Sequence, residues 1–97
     1  MLFYCRYEWH AGTTREQVAQ RFQQMDQKGL HHPDKWRGWY QLAGGGAGFL
    51  LVETNDPREL TEMLQPYMDL MSWDVHPIYE LNYNEMRQSL REVAGVR

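Results

Sequence analysis

A single cysteine, Cys5, leaves this chain without an internal disulfide, which fits a reducing compartment; inside an apolar stretch it reads as a small core residue rather than a nucleophile. There is no excess of basic charge. Ten Lys and Arg against thirteen Asp and Glu give a net charge of −3 and a pI near 5.7, which argues against nucleic acid, whose affinity is drawn largely from cations on phosphates. No apolar run approaches the roughly 20 residues of a membrane span. The chain opens on Leu2-Phe3-Tyr4 instead of a basic segment followed by a long apolar one, so neither signal peptide nor membrane span is expected, and a cytoplasmic location is the default expectation. The sequence also lacks CxxC, a Walker pattern and GxGxxG.

Large apolar rings, by contrast, are abundant: four Trp, six Tyr and three Phe in 97 residues. A chain this rich in aromatics must bury them. Its length allows one domain, residues 1–97, and a chain of this size hides only about 60–65% of the surface its unfolded form exposes. A second copy is one way to complete the cover.

Leu2 to Trp9 alternates, with Phe3, Cys5, Tyr7 and Trp9 on one face and Tyr4, Arg6 and Glu8 on the other, and predicts a strand. Thr13 and Glu16 have capping-box spacing ahead of a helix whose stripe is Val18, Phe22 and Met25 beside Ala19, ended by Gly29. Leu30 to Lys35 reads as a polar loop around Pro33, with His31 and His32 solvated. Trp36 to about Leu42 is a second strand, and four glycines between Gly44 and Gly48 suggest a hairpin into a third strand, Phe49 to Thr54, apolar on both faces. In Asp56-Pro57-Arg58-Glu59 a helix starts, with Asp56 as its cap, Pro57 at the first helical position and Glu59 completing a capping box, and its stripe is Leu60, Met63, Leu64 and Tyr67. Met71 to about Glu80 is a fourth strand, placed at an edge by Pro77. Asn82 and Glu85 open a last helix, where Met86, Leu90 and Val93 form a stripe that needs a partner surface.

The order βαββαβ predicts an α+β, ferredoxin-like fold: a four-stranded antiparallel sheet, strands one and three central, two helices on one face, and an additional C-terminal helix. The helix-free face would expose Tyr4, Phe49, Leu51 and Ile78, too large an apolar patch for a monomer, so a homodimer closed sheet to sheet into a barrel is expected.

Gly12-Thr13-Thr14 after the first strand, Gly48-Phe49 followed by Val52-Glu53-Thr54-Asn55-Asp56-Pro57, and Val75-His76-Pro77-Ile78 carry a resemblance. With them the chain resembles a family of small bacterial proteins known as a domain of unknown function, within the dimeric α/β-barrel superfamily. The resemblance covers nearly the whole chain up to the last helix and implies the dimeric α/β barrel. Relatives elsewhere in that superfamily include monooxygenases, isomerases and lyases acting on aromatic or polyketide-like compounds, so it also admits a cofactor-independent enzyme of that kind.

On the helix-free face the strand phases bring Arg6 and Glu8, Glu53, Asp74 and His76 within a few strand spacings of about 4.8 Å. One reading is a pocket for a small, partly apolar molecule, lined by Tyr4, Trp39 and Phe49, with Arg6 holding an anion or carbonyl and His76 or Glu53 moving a proton. The other is structural: Arg6 pairs with Glu53 or Glu8, and His76 is an ordinary edge-strand residue. No metal site is expected, since His10, His31, His32 and His76 lack ligand spacing. No cofactor is indicated, and the glycine segment leads into a strand, not into the helix a phosphate cradle needs. The expected function is small-molecule binding by a homodimer, or an interaction module docking through the last helix, with the cofactor-independent enzyme as the alternative.

Overall fold

The computed structural model describes residues 1–95. Four strands, β1 (Leu2–Trp9), β2 (Trp36–Gln41), β3 (Ala47–Glu53) and β4 (Met71–Ile78), form one antiparallel sheet in the order β2-β3-β1-β4. Helices α1 (Arg15–Gln27) and α2 (Pro57–Leu64) follow β1 and β3, and α3 (Tyr83–Val93) follows β4. This is the α+β, ferredoxin-like architecture, with β1 and β3 central and the Pro77 strand at an edge. Among the described residues, no helix is long and apolar enough to cross a membrane.

Local chemistry explains most boundaries. The α1 cap lies one residue later than the spacing suggested: Thr14 accepts from the Gln17 amide at 3.1 Å, and the Gln17 side chain accepts from the Thr14 amide at 2.9 Å. Gln17, one position beyond Glu16, is therefore the residue that closes the box. Asp56 caps α2, with Pro57 at the first helical position, as the sequence indicates. Glu59, however, does not complete a box; its carboxylate accepts from the buried Thr54 hydroxyl at 2.8 Å. Asn82 caps α3 through the Glu85 amide.

The core lies between the sheet and the helices. Cys5, Leu50 and Val52 from the central strands meet Leu60, Met63 and Leu64 of α2, while Tyr7, Met25, Tyr67, Leu70 and Met71 form a second cluster beneath α1. Each such side chain, taken from water, contributes about 1.5–3 kcal/mol before entropy is charged against it. Cys5 is completely buried, and burial pushes its thiol up to about 11, so it is core and no thiolate at neutral pH.

One irregularity decides which residues face which way. Trp36 stands opposite Val52, but Gly38, two residues on, stands opposite Leu51, one residue back, so Arg37 is the extra residue of a bulge. Trp36 and Trp39 consequently share the helix-side face although three positions apart, and Gly38 and Tyr40 take the other.

Candidate functional site

An apolar cavity, partly open to solvent, lies on the helix side of the sheet. This cavity, of about 90 Å³, is lined by β1 (Tyr7, Trp9), α1 (Val18, Phe22), β2 (Trp36, Trp39, Gln41), Leu50 of β3, Met63 and Tyr67 around the end of α2, and Met71 and Trp73 of β4, with His31 from the loop after α1. No Lys, Arg, Asp or Glu is among these lining residues. Trp39, 52% exposed, stands at the rim.

Polar atoms are few and mostly partnered. The Trp39 indole N–H donates to the Tyr7 hydroxyl at 3.1 Å, which lies 3.3 Å from the Gln41 side-chain oxygen. The Trp36 indole donates to the His31 carbonyl at 2.8 Å. His31, only 5% exposed, has Nε2 2.6 Å from the Tyr67 hydroxyl, and its ring lies 4.4 Å from that of Phe22. Burial drives the His31 pKa below its ordinary value against a smaller opposing pull from Asp26, and burial pushes Tyr67 up to about 12. Both groups are therefore neutral at neutral pH and share one short hydrogen bond.

The frame around this pair is specific. Gly29, at a φ of 69°, turns the chain out of α1 so that the following residues drop onto the core. Arg21 of α1 clamps Asp69 with two bonds of 2.6 and 2.9 Å and also donates to the Pro66 carbonyl, tying α1 to the 3₁₀ turn after α2, Gln65–Tyr67, that carries Tyr67. This pairing raises the Arg21 pKa and holds the Asp69 carboxyl below the usual range. Across the cavity, Tyr7 fits because its neighbour on β3 is Gly48: a Cβ there would stand 2.2 Å from the Tyr40 carbonyl oxygen and 2.6 Å from the Tyr7 hydroxyl.

The residues expected to form a pocket on the helix-free face divide differently. Tyr4, Arg6, Phe49, Glu53 and His76 do lie on that face, where Tyr4 and Tyr40 each stand 5.1 Å from Phe49, ring to ring. Trp39 does not; the Arg37 bulge turns it to the helix side, and Tyr40 occupies the place expected for it. The ionic groups are each engaged locally, Arg6 with Glu8 at 3.6 Å, His76 with Asp74 at 2.8 Å and Glu53 with the Met1 amine at 3.0 Å. In the single chain that face is a platform of rings edged by ion pairs.

His31 overturns the expectation of a solvated loop histidine, while His32, at a φ of 49°, reaches Glu62 at 2.7 Å. Tyr67 was readable as buried from its stripe, and a buried phenol needs a hydrogen-bond partner. That need was the one signal in the sequence for a polar group nearby. Nothing in the local pattern around Pro33 marks His31 as the partner.

The sequence profile of the family described as "Domain of unknown function (DUF3303)" matches residues 1–93. No curated protein matches in sequence. Among solved structures, muconolactone isomerase superimposes with a TM-score of 0.58 at 17% identity, over 86% of this chain and 93% of that one. Rv0793 from Mycobacterium tuberculosis gives 0.46 at 16% identity, over 84% and 97%. The first likeness bears on the fold, which it shares.

Proposed function

The chain belongs to the DUF3303 family, and from that premise we propose that it is a homodimer of the dimeric α/β-barrel kind that binds a small, flat, largely apolar molecule in the helix-side cavity. The observation that carries this reading is the cavity itself: aromatic walls, few polar atoms and no charged side chain. Such a composition suits a ring stacked among Phe22, Trp36 and Trp39. The helix-free face, with Tyr4, Tyr40 and Phe49, is assigned to the second subunit.

Native mass spectrometry of the purified protein tests both halves, since it reports subunit number and any retained molecule together. Retention of a small compound at one per chain is expected. Val18→Trp, which fills the cavity, should abolish that retention, whereas Arg6→Ala and His76→Ala on the opposite face should leave it unchanged. Loss in the latter two and survival in the former would move the site to the sheet platform and refute the assignment.

The His31–Tyr67 pair favours a second reading, a cofactor-independent enzyme. A neutral imidazole beside an apolar cavity is placed to accept a proton directly or through the Tyr67 hydroxyl. Mass spectrometry of the retained compound after incubation separates the two readings. Conversion of more than one equivalent per chain establishes turnover; unchanged compound leaves sequestration.

A further inference from the structure

Three of the residues that line the cavity carry titratable groups: His31, Tyr7 and Tyr67. A phenol ordinarily ionises near about 10, and burial pushes that of Tyr67 up to about 12. His31 is therefore the lining group whose charge changes between mildly acidic and neutral pH. What faces its imidazole is aromatic: Phe22 of α1 lies 4.4 Å away, ring to ring, Trp36 of β2 5.9 Å and Tyr67 of the 3₁₀ turn 6.0 Å. Charged groups on the surrounding elements lie outside the lining. Asp26 of α1 favours the imidazolium but is outweighed by burial, Arg21 of α1 is taken by Asp69, and Glu59 and Glu62 of α2 engage His32, the next residue, at 3.5 and 2.7 Å.

A proton on His31 leaves the 2.6 Å bond to Tyr67 in place, with the imidazole N–H donating to the hydroxyl oxygen, so what it adds is a charge and not a broken bond. A charge among aromatic rings needs water. The cavity beside His31 is partly open, and its volume of about 90 Å³ is well above the roughly 15 Å³ that one water needs. An apolar molecule in that space displaces the water and offers no lone pair in exchange. A charged His31 and an apolar occupant therefore disfavour each other, and the cost falls on whichever arrives second.

We infer that ligand and proton compete at the helix-side cavity: a neutral apolar molecule is held while His31 is uncharged, and acidification that protonates His31 releases it. This rests on the cavity-binding reading above and adds the regulation of that site. The sign follows from linkage. Affinity is level where His31 is neutral with and without ligand, and it falls, by at most about tenfold per pH unit for one proton, as pH drops through the pKa of the ligand-free protein, which burial sets below the ordinary histidine value. The coupling is reciprocal, so the bound molecule lowers the His31 pKa further.

The test uses toluene, which has no titratable group of its own, titrated by calorimetry into the full chain at pH 7.5 and pH 5, with circular dichroism confirming the fold at each. In the wild type the affinity is expected to be about threefold or more weaker at pH 5, and in His31→Phe the two affinities should agree. Equal affinities in the wild type, or the same fall in His31→Phe, overturn the competition and leave the cavity reading standing. Toluene bound at neither pH overturns both. A second measurement does not depend on the variant folding: in ¹³C-histidine-labelled wild-type protein, the titration midpoint of the His31 ring should move to lower pH when toluene is present. A midpoint that toluene leaves in place, with toluene bound, would also overturn the competition.

Discussion

His31 is where the energetics of a single residue are most exposed to measurement. Its imidazole is buried against Phe22, Trp36 and Tyr67 and is held neutral because burial lowers its pKa. The unfolded chain, with an ordinary histidine near 6.5, binds a proton more readily than the folded one across the window from the lowered value up to about 6.5. Stability must therefore rise with pH through that window and fall on acidification through it, with no further change from His31 below the lowered value. Asp69, whose pKa is lowered by Arg21, acts with the same sign but in a lower window, where carboxylates titrate near 4. Urea midpoints of the wild type measured from pH 5 to 7.5 should climb, and those of His31→Phe should be nearly flat there while keeping the acid limb below pH 4.5. An equal climb in the variant would show that His31 is not the group responsible.

At the scale of elements, the bulge in β2 has a consequence that a plain alternating strand would not. Since Arg37 is the extra residue, its deletion leaves Trp36 and Trp39 on the helix side and Gly38 and Tyr40 on the platform. The Arg37 deletion is therefore expected to fold, at a cost within about 2 kcal/mol. Deletion of Leu51 from central β3 reverses the phase of part of a strand buried on the helix side and should not fold. Circular dichroism and urea titration of the two deletions check this, and an unfolded Arg37 deletion would contradict the bulge assignment. The same element shows what was legible in the sequence. Strand order, α2 with its cap and stripe, the edge placement of β4 and the platform residues Tyr4 and Phe49 could be read, because period, caps and proline act locally. The cavity could not. It depends on a bulge that leaves no residue signature in Trp36-Arg37-Gly38-Trp39, and on His31 and Tyr67, 36 positions apart, meeting through the packing of two helices.

For the molecule as a whole, the radius of gyration is 17.4 Å, against about 13 Å for a compact chain of 100 residues. The longest dimension is 58 Å, and α3, with Leu90 59% and Val93 84% exposed, covers neither face of its own sheet. Two apolar surfaces are thus left to the solvent by one chain, the platform of Tyr4, Tyr40 and Phe49 and the stripe of α3. In the homodimer proposed above, a symmetric partner would cover both at once: the platforms would meet about a two-fold axis, and each α3 would lie across the other subunit. An interface of ordinary size, about 800 Å² per partner, is within reach of a four-stranded platform plus a helix stripe. Phe49 is the residue on which this turns, because both tyrosine rings pack on it while its Cα partners, Arg6 and Tyr40, share its face. Phe49→Arg places a cation at the centre of the apolar contact but nothing in the helix-side core, so it should give a folded monomer with unchanged far-ultraviolet circular dichroism. Light scattering over a micromolar concentration series is expected to report twice the chain mass for the wild type and the single chain mass for the variant. A wild type that stays at the single chain mass throughout would leave the rings and the α3 stripe uncovered and would rule out the closed barrel.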